Sequence, residues 1–321
     1  MAASKTIADA ELSARDPEAR RIGIVDRGAI GQLKKQVLKR LRASPVSWRF
    51  NFTVQARYGA RALKIPIIYG RGFQNLDIGE AWFFRALSRL FTCRPGAFLD
   101  VGVNLGQTLI KVKLIEPARE YIGFEPNPQC CQYTSQLIEA NRFQGCTLMP
   151  VGLADSARVL RLFAKDDAVD PSASVVPGFR APERYRRSQH AAVFAGDQVL
   201  NDLSDLGFVK VDVEGGELEV ISGLQATIER FMPFIFCEIL PVFDEGSDVG
   251  QFRKRRQELL LEILKRMGYS LFRLLHDGTA VELTAICVHG DISFSNYLLV
   301  PPADLKDFRE LFPVVTQAAA E

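Results

Sequence analysis

The sequence predicts an α/β fold with a doubly wound, mostly parallel sheet, preceded by a mostly helical N-terminal extension. Two short apolar runs, at 98–101 and 121–124, are of the kind that strands buried on both faces show. Each run is followed by a helical pattern, over 105–114 and 130–140. Strands that alternate with helices in this way form open α/β sheets, which present a ligand site at the carboxyl ends of their strands.

A glycine-rich turn follows the first of these strands. Asp100 and Gly102 end the strand, and Asn104, Gly106 and Thr108 lead into the helix. A side chain at either glycine would push the backbone away from a bound nucleoside. A tight turn that binds nothing is an equally good interpretation of this motif by itself, because short motifs often match by chance.

A carboxylate at the end of the second strand favours the nucleoside interpretation. Glu125 follows Gly106 by roughly the twenty-residue interval at which such a carboxylate meets the ribose hydroxyls of a nucleotide. A carboxylate can accept both hydroxyl hydrogens. The alternative is a surface glutamate that opens a helix, where the helix dipole stabilises it. Together, the turn and the carboxylate predict a site for a nucleoside cofactor.

Composition and charge argue against several other classes of protein. The net charge of the 321 residues is +2, which does not favour nucleic acid as the main partner. No apolar stretch is long enough to span a bilayer, and the polar start lacks the apolar part of a signal peptide, so we expect a cytoplasmic protein. The six cysteines form no CxxC pair and no Cys/His cluster, and we expect reduced thiols.

The chain divides into an N-terminal extension over 1–92, a domain over 93–302 and a tail over 303–321. Within the extension, 30–42 has apolar residues at helical spacing and a second face of lysines and arginines. Such a helix can lie on an anionic membrane, but most dock on their own domain, so we expect at most peripheral membrane contact there. We interpret the aromatic-rich stretch 47–72 as extended structure that covers one edge of the sheet.

The region after the second helix holds further candidates for ligand contact. We expect a third strand at 146–151, closed by Asp155, whose carboxylate would neighbour an adenine ring; a turn aspartate is an equally good interpretation. The segment 164–198 is rich in proline, serine and arginine, and we interpret it as an irregular substrate lid. Its candidate substrate-binding residues are Arg180, Arg184 and His190. The guanidinium groups could bind phosphate or carboxylate, or could simply be solvated.

Acidic residues cluster at the ends of the next two strands. The strand at 207–213 carries Asp212 near its end, and Glu214 follows it. Charged residues in a strand buried on both faces are rare without a functional reason. The next strand ends near Glu238, so the three carboxylates should meet at one edge of the sheet. Two closing strands, at 269–275 and 295–300, are interpreted as an antiparallel pair.

These motifs resemble one known family. DVGVNLGQTL, GFEPNP, VGLAD, KVDVEGGELEVISG and FCEI stand in the order and spacing of the FkbM-type S-adenosylmethionine-dependent methyltransferases, over 97–302. The resemblance implies a Rossmann-like class I methyltransferase sheet of seven strands with an antiparallel last strand. It implies methylation of hydroxyl groups on sugars, glycans or small metabolites. It also implies a set of cofactor residues: Asp100, Gly102, Asn104 and Gly106 at the methionine end, Glu125 at the ribose, Asp155 near the adenine, and Thr108 and Pro126 beside them.

Methyl transfer to a hydroxyl requires alignment of the acceptor and removal of its proton. Asp212, Glu214 and Glu238 are therefore the candidate catalytic residues. Asp212 or Glu214 could act as a base, or Asp212 and Glu238 could bind Mg²⁺ through oxygen atoms. We favour a direct base and assign no metal ligand, because two carboxylates are few ligands for a cation.

The first hypothesis is thus a S-adenosylmethionine-dependent O-methyltransferase that acts on a small-molecule or glycan hydroxyl; a homodimer is left open. The second is a NAD-dependent oxidoreductase, since the turn and the ribose carboxylate also fit NAD. The missing third glycine argues against it, because a pyrophosphate needs close approach of the backbone at a helix start. The third is a non-catalytic binding module, which the charged residues at both strand ends disfavour.

Overall fold

The computed structural model describes residues 36–42, 44–164 and 187–316. The strands are β1 (Phe52–Tyr58), β2 (Arg61–Ile67), β3 (Phe98–Val101), β4 (Tyr121–Phe124), β5 (Cys146–Met149), β6 (Gly152–Ala154), β7 (Arg158–Ala164), β8 (Arg187–Ala195), β9 (Phe208–Val211), β10 (Phe234–Glu238), β11 (Ser270–Leu274), β12 (Ala280–Leu283), β13 (Asn296–Val300) and β14 (Val314–Thr316). The α-helices are α1 (Ala81–Leu90), α2 (Gln107–Ile115), α3 (Pro128–Asn141), α4 (Gly196–Val199), α5 (Glu217–Gly223), α6 (Gln225–Phe231), α7 (Asp248–Arg266) and α8 (Leu305–Leu311).

A nine-stranded sheet forms the centre of the described structure. Its strands lie in the order β14-β12-β11-β13-β10-β9-β3-β4-β5. The strands from β5 to β10 in this order run parallel, and β13 lies antiparallel between β10 and β11. The prediction of a doubly wound, mostly parallel sheet with an antiparallel last strand is confirmed. Seven strands, from β5 to β11, form the expected sheet, and β12 and β14 extend it at one edge.

Successive side chains of a strand point to opposite faces of the sheet, and here other elements pack on both faces. Phe98, Phe208 and Phe234 lie side by side on one face, with adjacent ring centroids 6.1 and 5.7 Å apart. They share a core with side chains of the β1–β2 hairpin, α1 and α2. Leu99 and Val209, one position further along their strands, belong to a second core with α5, α6 and α7. Polar side chains can therefore meet a ligand mainly at the strand ends.

The described part of the N-terminal extension is not mostly helical, contrary to our expectation. β1 and β2 form an antiparallel hairpin in which Ile65 and Ile67 are fully buried. The hairpin packs against α3, where the side chain of Asn141 bonds to the backbone N–H and C=O of Lys64 at 2.8 and 2.7 Å. The stretch 47–72 therefore covers a helix rather than an edge of the sheet.

The start of the described chain is helical over 36–42, within the basic helix predicted at 30–42. Leu38 and Leu41 of this helix pack against the core that contains Phe98, Phe208 and Phe234. The helix therefore docks on its own domain, as most basic amphipathic helices do. Across the ranges that the structure describes, no helix combines the length and the apolar character that a membrane span requires.

A second sheet has three strands in the order β6-β8-β7. One of them, β8, lies within the segment 164–198 that was predicted to be an irregular lid. The segment 187–195 is a regular strand and not irregular, while 165–186 lies outside the described residues. The strand was missed because its buried positions, Ala191, Val193 and Ala195, are mostly alanines, which are weak strand formers. The predicted third strand also divides: β5 ends at 149, and β6 pairs with β8 instead.

Candidate functional site

The carboxyl ends of β3, β4, β9 and β10 surround a cavity of about 500 Å³. Most of the residues predicted for the cofactor and for catalysis line it: Gly102, Asn104, Thr108, Glu125, Pro126, Asp212, Glu214 and Glu238. Four predicted residues within the described ranges do not line it: Asp100, Gly106, Asp155 and His190. The sequence motifs therefore meet in one place, although they are more than 130 residues apart along the chain.

The two glycines of the turn are required by the protein backbone itself. Gly102 has a φ of +92°, and a Cβ built there would lie 2.0 Å from the carbonyl oxygen of Asp212. Gly106 has a φ of +77° as the N-cap of α2, and its Cβ would lie 2.9 Å from Leu137. Both positions use the left-handed conformation that glycine adopts without strain. The need for glycine at position 102 therefore comes from the close approach of β3 and β9 rather than from the space that a ligand would need.

Glu125 joins the ends of β3 and β4. Its Oε2 accepts a hydrogen bond from the Asn104 N–H at 2.7 Å, and its Oε1 accepts one from the Asn127 N–H at 2.8 Å. The residue is 7% exposed, and burial raises the pKa of Glu125 to about 7, although the two N–H donors partly offset this. A carboxylate oxygen has two lone-pair sites, so each oxygen can accept one more hydrogen.

Asp100 supports the site from below rather than lining it. It is fully buried, and its Oδ2 accepts a hydrogen bond of 2.5 Å from the Tyr121 hydroxyl. Its Oδ1 lies 3.6 Å from Lys210 Nζ. Burial raises the pKa of Asp100, while Lys210 and the Tyr121 hydroxyl act in the opposite direction. Within the described structure, Asp100 makes buried contacts with Tyr121 and Lys210 and does not line the cavity.

Neither Asp155 nor His190 lines the cavity, since Asp155 follows β6 and His190 is on β8, two strands of the second sheet. Because β6 belongs to the second sheet, Asp155 follows it onto the surface and forms an ion pair with Arg158. The backbone segment 152–154 lines the cavity in its place. His190 lies exposed on β8, opposite Arg161.

The other two candidates for substrate contact, Arg180 and Arg184, lie outside the described residues.

Three carboxylates meet at the ends of β9 and β10. Asp212, Glu214 and Glu238 each offer an oxygen within 4.8 Å of the others, and all three are half-buried. Glu214 has a φ of +56°, an uncommon conformation that a sharp turn after β9 imposes. Such a set could hold a divalent cation or could share the work of a base. The cluster adds Glu214 to Asp212 and Glu238, the two carboxylates considered as magnesium ligands from the sequence.

Lys210 supplies a positive charge beside this cluster. Its Nζ lies 3.1 Å from Asp212 Oδ2, and the side chain is 14% exposed. Burial alone would lower the pKa of Lys210, but the carboxylates of Asp212 and Asp100 outweigh it and the pKa is raised. Lys210 is therefore a cation at all physiological pH values, and it orients the carboxylate of Asp212.

A comparison with protein families identifies the central part of the chain. Residues 100–271, more than half of the 321, match the model of the methyltransferase FkbM domain. The chain belongs to the FkbM methyltransferase family. The resemblance that the motifs predicted is confirmed, and with it the class I methyltransferase fold and a methyltransferase domain. No curated protein matches the chain.

Solved structures that are similar to this FkbM-family chain are distant in sequence. Methyltransferase FkbM from Methylobacillus flagellatus is 16% identical with a TM-score of 0.39; the match covers 64% of this chain and 43% of that chain. A putative caffeoyl-CoA O-methyltransferase from Staphylococcus aureus is 11% identical, with a TM-score of 0.40 and coverages of 68% and 81%. The SAH-bound methyltransferase PaMTH1 from Podospora anserina is 10% identical, with a TM-score of 0.37 and coverages of 72% and 78%.

One wall of the cavity comes from the extension, which precedes the matched FkbM domain. This wall consists of Gln74, Asp77, Ile78, Gly79 and Glu80. Sequence reasoning missed it because these residues form no motif and reach the cavity only by tertiary packing. The side chain of Asn75 holds the segment in place: its Nδ2 donates to the Leu105 C=O at 2.6 Å and to the Tyr133 hydroxyl at 3.2 Å.

Lys111 is a second residue that sequence reasoning missed. It lines the cavity from α2, and its Nζ lies 3.2 Å from Glu80 Oε2. A signal did exist in the sequence, since two lysines, Lys111 and Lys113, interrupt an otherwise apolar helix. Both are buried, but Lys113 turns away from the cavity and donates to the carbonyl groups of 117, 119 and 144.

Proposed function

We propose that this methyltransferase transfers the methyl group of S-adenosylmethionine to a hydroxyl of a sugar, a glycan or another polar metabolite. The observation that carries the proposal is the cluster of Asp212, Glu214 and Glu238 in the same cavity as the glycine turn and Glu125. A hydroxyl acceptor must lose its proton during the transfer, and carboxylates at this position can receive it.

The residues present fit the cofactor. Glu125 has one lone pair on each oxygen left for the two ribose hydroxyls. Backbone groups of Gly102 and Asn104 would adjoin the methionine part. Apolar side chains of the second sheet, among them Leu153 and Val193, would cover the adenine. When bound, S-adenosylmethionine supplies a methyl group that is already activated, so alignment of the acceptor is the protein's main task.

Asp212 is the residue that we assign as the base. Its carboxylate would accept the proton of the acceptor hydroxyl, and Lys210 holds that carboxylate in place at 3.1 Å. Glu214 and Glu238 would bind further hydroxyl groups of a polar acceptor. A direct base is favoured over a magnesium ion because the ammonium of Lys210 lies 3.1 Å from Asp212 Oδ2, where it would repel a cation held by that carboxylate.

Thermal unfolding with S-adenosylmethionine, S-adenosylhomocysteine and NAD tests the cofactor. A ligand at a hundred times its dissociation constant adds about 2.7 kcal/mol to the free energy of unfolding, which raises the midpoint by several degrees. We expect a rise with the two adenosyl compounds and none with NAD. A rise with NAD alone would support the oxidoreductase, and no rise with any ligand would support a binding module.

The variant Asp212→Asn tests the base. We expect it to bind S-adenosylhomocysteine normally and to form that product from S-adenosylmethionine at least about a hundredfold more slowly, with a panel of free and nucleotide-linked sugars as acceptors. Asp202→Asn, an exposed neighbour along the chain, is the control. The wild type should keep its rate in EDTA. A normal rate in Asp212→Asn would remove the assignment, and a loss in EDTA would replace the base by a metal ion.

A further inference from the structure

Lys111 is a buried cation in the wall of the cavity that the proposed transfer does not use. Its side chain is 1% exposed, and Glu80, its carboxylate partner among the described residues, is 51% exposed. The ring of Phe83 lies 5.8 Å from Nζ. An ammonium has three donor hydrogens, and Glu80 accepts one of them. A buried charge with incomplete pairing is costly, so this position suits a second anionic partner.

The other two cations that the described residues bring to this cavity are already engaged. Arg158 is the first residue of β7, in the second sheet, and pairs with Asp155. Lys210 lies between Asp100 and Asp212, at 3.6 and 3.1 Å. Lys111 is therefore the cation with capacity for an anionic group of a ligand.

The position of Lys111 matches one part of the cofactor. The residue lies one turn into α2, and long helical side chains lean back toward the N-terminus, here toward the glycine turn. It lines the cavity together with Gln107 and Thr108. Glu125, assigned to the ribose, follows β4 and accepts a hydrogen bond from the Asn104 N–H in the middle of this turn, whereas Lys111 lies beyond the end of the turn, on α2. A ligand that extends from the ribose along the turn would end beside Lys111.

We propose that Lys111 and Glu80 bind the amino-acid end of S-adenosylmethionine, Lys111 its carboxylate and Glu80 its ammonium. This inference rests on the proposed cofactor and adds to it a contact from outside the matched FkbM domain. The two opposite charges, 3.2 Å apart, complement the two opposite charges of an amino acid. Because the side chain of Glu80 is half-exposed, its carboxylate can accept a hydrogen bond from the ligand's ammonium in addition to the one from Lys111.

Calorimetric titration with S-adenosylhomocysteine and with 5′-methylthioadenosine, which lacks the amino-acid part, tests the proposal. We expect Lys111→Met to weaken the binding of S-adenosylhomocysteine by about tenfold or more and to leave 5′-methylthioadenosine unchanged. Lys113→Met is the matched control, since it replaces a buried lysine of the same helix that does not line the cavity. It should leave the ratio of the two affinities unchanged.

The outcomes separate this inference from the proposed function. If the wild type binds neither compound, the cofactor itself is wrong. If Lys111→Met keeps the wild-type ratio of affinities, or loses both ligands equally while folded, Lys111 does not bind the amino-acid end. Should that variant fail to fold, Glu80→Gln, at a half-exposed position, gives the same test: a selective loss of S-adenosylhomocysteine supports the proposal, and an unchanged ratio overturns it.

Discussion

Glu125 shows how burial changes the conditions under which a single residue can act. Its backbone partners, the N–H groups of Asn104 and Asn127, come from the turns after β3 and β4. They hold the carboxylate at the point where the two strands end. Burial nevertheless raises the pKa of Glu125 to about 7, so the residue changes its protonation state near neutral pH.

The pH dependence of cofactor binding follows from this pKa. Ribose hydroxyls donate to a carboxylate, so the ligand prefers ionised Glu125, and below pH 7 binding must displace a proton. We expect the affinity for S-adenosylhomocysteine to fall by about tenfold between pH 8 and pH 6, measured by calorimetry. Glu125→Gln, which keeps the size but cannot ionise, should bind more weakly and without this dependence.

Two outcomes would contradict the assignment of Glu125 to the ribose. One is an equally steep dependence in Glu125→Gln, which would place the titrating group elsewhere. The other is an unchanged affinity in Glu125→Ala. We expect this variant to fold, since it removes a buried acid whose raised pKa lowers the stability of the folded state increasingly from pH 4.5 to about pH 7 and fully above that.

At the scale of elements, the site depends on how closely β3 and β9 approach each other. The backbone passes from β3 into the turn at Gly102, directly against the carbonyl group of Asp212. Any side chain at 102 must separate the two strand ends. The position of the proposed base is therefore coupled to the absence of a Cβ on a neighbouring strand.

Gly102→Ala should lower the free energy of unfolding by about 2 kcal/mol or more, because it adds a clash with backbone to an unfavourable φ. Urea denaturation measures this change. Gly79→Ala is the matched control: its φ is +50°, but a Cβ there meets no atom within 4 Å. We expect it to lose only about 1 kcal/mol. Equal losses in the two variants would show that backbone conformation, and not the contact between strands, is responsible.

At the scale of the whole molecule, the hairpin of the extension belongs to the main core. Ile65 and Ile67 share an apolar cluster with side chains of β3, β9 and β10. Asn75, just after the hairpin, binds the turn that leads into α2. The wall of the cavity and the sheet should therefore unfold together.

Ile65→Ala tests this coupling. Removing a fully buried isoleucine costs about 2–5 kcal/mol, which should lower the midpoint of thermal unfolding by several degrees in one transition. Circular dichroism and intrinsic fluorescence should report the same midpoint. Lys64→Ala, whose exposed side chain is adjacent, should stay within about 0.5 kcal/mol of the wild type. A separate early transition confined to the hairpin would contradict the shared core.

Local pattern was sufficient for the parts of the molecule whose causes are local. Short, mostly apolar runs predicted β3 and β4, because strands buried on both faces show no regular alternation of polar and apolar residues. Glu125 and Asp212 could be assigned to one edge of the sheet, because parallel strands end on the same side. The motifs around them were specific enough to indicate the family.

Only tertiary packing decided the rest. Asp155 was expected at the cavity because its motif follows the third strand, but β6 pairs with β8, a partner that no local pattern identifies. Glu80, the residue before α1, and Lys111 of α2 are 31 residues apart along the chain and meet only once α1 and α2 have packed. The sequence alone therefore determined the sheet, the family and the residues at its strand ends. The structure decided which side chains line the cavity, because that depends on contacts between elements distant along the chain.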